Sequence, residues 1–237
     1  MPRKSTTREI SKDALVQYMA TELDILNKSA IHNNEMMMNK INFFLVLVTA
    51  IVSGLVLVAG ISNMRDLALP IACVVILVLI AMGINTLQQS LDLSASSTTY
   101  YRRAGRIRKW LVEQEPSIES YLPFTVADNL PRLNPGYANL RGTESILLIM
   151  NASLIGTLLG LLIIFGDFYI IRQMQDNMQA IEFAIAIVLG LVGMGVAWIS
   201  QVRYVKRFMQ KWEKRQQDLE LIHFPVEYTE EFNKLLS

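Results

Sequence analysis

Hydrophobic positions in this chain gather into four long blocks, and polar and charged positions fill what lies between. The blocks are INFFLVLVTAIVSGLVLVAGI at 41–61, LALPIACVVILVLIAMGI at 67–84, ILLIMNASLIGTLLGLLIIF at 146–165 and IEFAIAIVLGLVGMGVAWIS at 181–200. Each is near the 20 or so residues that a helix needs to cross a hydrocarbon core. None carries a charge near its centre; Glu182 sits at the very end of the fourth. Backbone groups in lipid must pair within their own segment, which predicts helices.

The connections alternate in length. Residues 62–66 and 172–180 are short, whereas 87–145 is long and polar. The expected fold is therefore all-α, an integral membrane protein with four transmembrane helices arranged as two hairpins with cytoplasmic helical extensions. Its parts are an amphipathic helix (1–40), a first hairpin (41–87), a cytoplasmic helix and loop (88–145), a second hairpin (146–200), and a C-terminal helix and tail (201–237).

The polar stretches have their own periodicity. Leu15, Met19, Leu23, Leu26 and Ala30 recur at steps of three and four, which puts them on one helical face. That face suits packing on other cytoplasmic helices or on a neighbouring subunit. Met36, Met37 and Met38 follow as flexible gap fillers. The second block is expected to run on as a helix to Gln114, limited by Pro116, and the fourth to about Leu221, before Pro225. Residues 117–143, with Pro123, Pro131, Pro135 and Gly136, read as an irregular loop holding one short helix. The tail, 227–237, is acidic and then apolar.

Charge supplies the orientation. Six basic residues precede the first block, seven lie in the central segment, seven follow the last block, and the two short connections hold one each, Arg65 and Arg172. Positive residues stay on the cytoplasmic side. The bias is expected to place both termini and the central segment in the cytoplasm, so the expected location is a cell inner (plasma) membrane, crossed more than once. Charged types form only 18% of the chain, against about a quarter in soluble domains. A net charge of +1 gives no reason to expect a nucleic-acid partner. The polar N-terminal region has no apolar stretch ending in a small-residue cleavage site, so the first block is expected to remain as an anchor.

Candidate chemistry is sparse. One cysteine, Cys73, lies inside an apolar block, and His32 and His223 have no neighbour at ligand spacing. No metal, no cofactor and no catalytic residue are expected, and an enzyme is not. Gly190, Gly193 and Gly195 lie within a span and follow no strand, so they are not a dinucleotide fingerprint. Intramembrane polar residues are the default place to look for function. Asn85, Asn151, Ser153 and Thr157 are the candidates for lining a pore or bonding between helices, with Thr49 and Ser53 in the first span. Gly156 with Gly160, and Gly190 and Gly193, offer small surfaces for close helix packing. Arg102, Arg103, Arg106, Arg108 and Lys109, and then Arg203, Lys206 and Arg207, lie among Tyr100, Tyr101, Trp110, Tyr204, Phe208 and Trp212. Such juxtamembrane clusters suit anionic lipids or a nucleotide-type ligand.

The two halves share a plan. Ala81-Met82-Gly83 parallels Gly193-Met194-Gly195, and Lys109-Trp110, Gln114 and Pro123 parallel Lys211-Trp212, Gln216 and Pro225. The first half, with an amphipathic helix, a hairpin and then LQQSLDLSASSTTYYRRAGRIRKWLVEQ, resembles the SLATT-type small membrane proteins of bacteria. The likeness is one of layout over about 12–115, and the second hairpin departs from it. It implies pore formation in nucleotide-signalled antiphage defence. The expected function is a homo-oligomeric channel-like or membrane-perturbing effector. The alternatives are a membrane anchor or scaffold that recruits a cytoplasmic protein, and a small-molecule carrier.

Overall fold

The computed structural model describes residues 12–60, 65–122, 126–131, 143–170, 179–219 and 222. The expectations for 1–11, for 61–64 and 171–178 in the two short connections, and for Pro123, Arg132, Pro135, Gly136, Arg141, His223, Pro225 and the tail lie outside the described residues; Arg65, Asp66, Gln179 and Ala180, read as connection, are the first residues of α2 and α4. Everything described is helix, turn or irregular segment. Four α-helices follow one another: α1 (Lys12–Ala59), α2 (Arg65–Gln114), α3 (Thr143–Ile170) and α4 (Gln179–Asp218). A short 3-10 turn, Pro116–Tyr121, comes after α2. All four helices are long and apolar enough, by length and composition, to cross a membrane.

The helices are much longer than their apolar stretches. α1 has 48 residues and α2 has 50, and neither breaks where the sequence turns from apolar to polar. Leu, Met, Gln, Lys and Arg recur through the polar parts and are good helix formers; the weaker run SASSTTYY in α2 is supported by packing, with Ser97 bonded to α1 and Thr99 to α4. Pro70 lies in the second turn of α2, close enough to the start to cost little of the hydrogen-bond ladder. α2 stops at Gln114, two residues before Pro116, because a residue before proline is pushed out of the helical region.

α1 and α2 run antiparallel along most of their length. The Ser97 hydroxyl donates to the Ala30 carbonyl at 3.1 Å. Lys40 Nζ donates to Gln89 Oε1 at 2.6 Å, and Phe44 lies against Gly83. The repeated stripe on α1 is what packs at the far end. Leu26 is buried with Ala104 and Ile107, and Met19, Leu23, Tyr100 and Leu111 close around them. α3 and α4 make a second antiparallel pair. Gly156 meets Gly190, and Gly160 meets the Ala186 carbonyl.

A core joins the pairs. Ile41, Phe44, Val48, Leu79, Leu87, Leu91, Leu147, Leu148 and Val205 are buried together in one apolar cluster. α3 enters it beside α2. The spanning half of α4 touches mainly α3, and its remaining surface is apolar and open, with Val188, Leu191, Val192 and Val196 all more than half exposed.

Candidate functional site

The densest polar structure lies beyond the apolar stretches, where α2, α4 and the segment 126–131 meet. Arg102, on α2, is turned inward and is only 2% exposed. Each of its three guanidinium nitrogens donates. Nε reaches the Pro131 carbonyl at 3.1 Å. Nη1 bonds Gln216 Oε1. Nη2 reaches both carboxylate oxygens of Glu213, at 2.8 and 3.1 Å, and the Asn129 carbonyl at 3.3 Å. Gln216 is buried as well, and its amide nitrogen donates to the Thr99 hydroxyl, back on α2. A planar guanidinium with five donors in a fixed fork suits this task, and a lysine could not reach as many acceptors. Removing a cation from water is costly unless it is paired and fully bonded; Glu213 supplies the opposite charge and the carbonyls fill the remaining directions.

One helical turn further on, a second pair fixes the loop. Arg106 Nε donates to Asp128 Oδ2 at 2.8 Å, and the Asp128 side chain is fully buried. Gly105, between the two arginines, allows the approach. A Cβ placed there would fall 2.4 Å from the Ala127 carbonyl oxygen, so only glycine lets 126–131 lie flat on α2. Arg108 is 7% exposed, and burial lowers its guanidinium pKa below the ordinary value.

α2 and α4 run in the same direction where they meet. Gln88 Nε2 donates to the Tyr204 hydroxyl at 3.3 Å near the start of the contact, and Arg102 meets Glu213 and Gln216 near its end. Tyr204, Phe208 and Trp212 form a ladder of tilted rings at 6.4–6.5 Å between centroids. Arg215 lies 6.0 Å from the Trp212 ring centroid, within reach of a cation–π contact.

The eight basic positions singled out in the sequence therefore divide. Arg102 and Arg108 are buried, Arg106 is paired with Asp128, and Lys109 is 3.7 Å from Glu113. Arg103, Arg203, Lys206 and Arg207 face outward. Of the eight, these four present the open cationic surface to a lipid headgroup or an anionic ligand.

The polar residues within the spans divide too. Asn151 is fully buried, and neither its side-chain oxygen nor its nitrogen has a hydrogen-bond partner among the described residues. It is wedged against Gly83, where a Cβ would fall 1.9 Å from Asn151 Oδ1 and 2.8 Å from Phe44 Cζ. Asn151 thus occupies the centre of the protomer, between α1, α2 and α3. Ser153 is half-buried, its hydroxyl 3.9 Å from the Met194 sulfur. Thr157 and Asn85 are exposed.

The small residues form a crossing. A Cβ at Gly156 would lie 2.6 Å from the Gly190 carbonyl oxygen, and one at Gly190 would lie 3.0 Å from the Gly156 oxygen. The two backbones touch there. Gly160 approaches the Ala186 carbonyl, while Gly193 accommodates the Leu159 side chain.

Thr99, Asp128 and Glu213 carried no signal in the sequence, and Gln216 stood out there only as the counterpart of Gln114. Glu213 stands between Lys211 and Lys214 and reads there as an ordinary solvated charge. Among the described residues no group of histidine, cysteine, aspartate and glutamate side chains forms a metal site. No protein-family model, curated protein or solved structure matches this chain.

Proposed function

We propose that this chain is a multi-pass inner-membrane protein, built as two hairpins with its N- and C-termini in the cytoplasm, that acts as a homo-oligomeric, channel-like or membrane-perturbing effector. The observation that carries the reading is the buried Arg102. Through it the polar extension of α2, the segment 126–131 and the polar extension of α4 are fastened at one point. A stimulus that displaces any of these elements acts on both pairs of spans together. Exposed Arg103, Arg203, Lys206 and Arg207 are the surface on which an anionic headgroup or nucleotide-type ligand would act. The SLATT-like layout extends the proposal to bacterial defence.

The conducting or leaking route is assigned to the space between subunits, because the centre of a protomer is filled by Phe44, Leu79, Leu148 and Asn151. The test is reconstitution of the full chain into liposomes holding a trapped dye. Leakage is expected, with Arg102→Gln altering its threshold. Vesicles that stay sealed under every anion, nucleotide and voltage applied would overturn the reading.

That filled centre also favours a second reading, a membrane anchor that recruits a cytoplasmic protein. Affinity capture would then return one dominant partner, lost on deletion of residues 1–30.

A further inference from the structure

We infer that α4 holds an anionic phospholipid of the cytoplasmic leaflet, with the phosphate at Arg203 and Arg207 and an acyl chain in the groove between α3 and α4. The inference rests on the multi-pass reading above and narrows the ligand of its exposed bases to a lipid.

The free bases at the membrane boundary belong to one helix. The Gln88–Tyr204 hydrogen bond sets Ile84 level with Ser200, so α2 and α4 leave their apolar stretches at the same depth. Past Ile84, α2 has no base until Arg102, about 27 Å further on at 1.5 Å per residue. α3 brings the acid Glu144 to this boundary. α1 brings Lys40, whose Nζ is engaged by Gln89 Oε1 at 2.6 Å. On α4, Arg203, Lys206 and Arg207 come within two turns of Ser200, and all are exposed. Charge bias alone needs bases on the cytoplasmic side and does not gather them on one helix.

Helix direction sharpens the difference. Side chains lean toward the N-terminus of their helix. α4 arrives from the bilayer, so Arg203 and Arg207, about 4.5 and 10.5 Å beyond Ser200, lean back toward a headgroup layer about 5–7 Å thick. α1 arrives from the water, so Lys40 leans away from that layer. Neither arginine has an ion-pair partner among the described residues.

The same face of α4 carries the groove. At about 100° per residue, Leu189, Val192, Val196, Ser200, Arg203 and Arg207 fall within about 80° of one another, every one exposed. Ile155, Leu159 and Leu162 of α3 form the facing wall, and the groove holds about 750 Å³, a ligand-sized space. It ends beside Val196 and Ala197, a turn before Ser200 and the bases. The groove on the other side of the crossing, at Gly160 and Leu191, points along α4 to Val205, which is buried, and meets no base. A chain lying in the first groove therefore ends at two guanidinium groups, whose planar forks match phosphate oxygens. A soluble anion would gain nothing from the groove, and a zwitterionic lipid would gain little from the charge.

The full chain is placed in vesicles of equal parts phosphatidylglycerol and phosphatidylcholine, extracted, and weighed with its bound lipid by native mass spectrometry. Phosphatidylglycerol is expected to be retained in preference to phosphatidylcholine. Joint Arg203→Gln and Arg207→Gln should weaken that retention about thirtyfold. Val196→Trp, which fills the groove from a position that is 60% exposed, should weaken it as well, and Arg103→Gln should leave it unchanged. Equal retention of the two lipids would overturn the inference, and so would a loss with the arginines but none with Val196→Trp. Thermal stabilisation of the chain by inorganic phosphate or ATP through the same arginines, with no lipid retained, would assign them to a soluble anion instead. Lipid retention is read without leakage, so the two readings fail separately. Sealed vesicles with the expected lipid bound would sink the effector reading alone, and leaking vesicles with no lipid preference would sink this one alone.

Discussion

Helix α4 is held in two different ways along its length. In its first half it lies backbone to backbone on α3, through Gly190, Gly156 and Ala186, with no charged group in the contact among the described residues. In its second half it is fastened to α2 by Glu213 and Gln216 around a buried guanidinium. The difference follows from the solvent. Lipid gives apolar side chains no reason to leave it, so helices there gain by close contact of small residues. Beyond the lipid, water competes for every polar group, and a fixed pairing needs burial, opposite charge and several hydrogen bonds at once.

The strongest way to break this contrast is at Arg102. Arg102→Ala should cost about 3–5 kcal/mol, because it leaves buried acceptors on both sides unpaired. Thermal unfolding in detergent measures the loss, and Glu213→Gln in the same background should add little, since the two act as one unit. If instead the two losses simply add, the joint is not a unit.

Next in size is the crossing. Gly156→Leu forces α3 away from α4 and should cost about 1–3 kcal/mol. It should leave the 126–131 segment as resistant to proteinase K as before. Cleavage there would mean that crossing and joint are coupled.

Gly105→Ala tests the loop alone. The added methyl meets the Ala127 carbonyl, so 126–131 should lift from α2 and become cleavable, with a stability loss of about 1–2 kcal/mol. Unchanged cleavage would show that the segment is held by Arg102 and Asp128 without needing the glycine.

The smallest effect belongs to Asn151. Its side chain has no hydrogen-bond partner among the described residues, so Asn151→Leu should leave unfolding unchanged or raise stability by up to about 1 kcal/mol. A loss above about 2 kcal/mol would mean that this amide has a partner in the membrane.

Much of the architecture was legible in the residue pattern, because the physics behind it is local. Twenty apolar residues in a row mean a helix in lipid wherever they occur, and Pro116 limits α2 whatever its neighbours. The stripe Leu15 to Ala30 could be read as a packing face because its period is internal to one helix. The joint was not legible. Arg102 finds Glu213 and Gln216 more than a hundred residues away, and nothing in a run of five bases in eight positions says which one turns inward. The parallels between the halves mislead in the same manner. Gln216 is buried at the joint while Gln114 is exposed at the end of α2, and Gly83 meets Asn151 while Gly195 faces open space. Matching residues have acquired different surroundings.

The unbroken length of α2 has a mechanical meaning. At 1.5 Å per residue its 50 residues make a rod of about 75 Å, of which a bilayer grips about 30 Å. A rod held near one end magnifies motion at the other. A tilt of about 10° in the gripped part would swing the far end, with the part of α1 packed on it, by several ångströms, and Arg102, well out along that arm, would hand the stroke to α4.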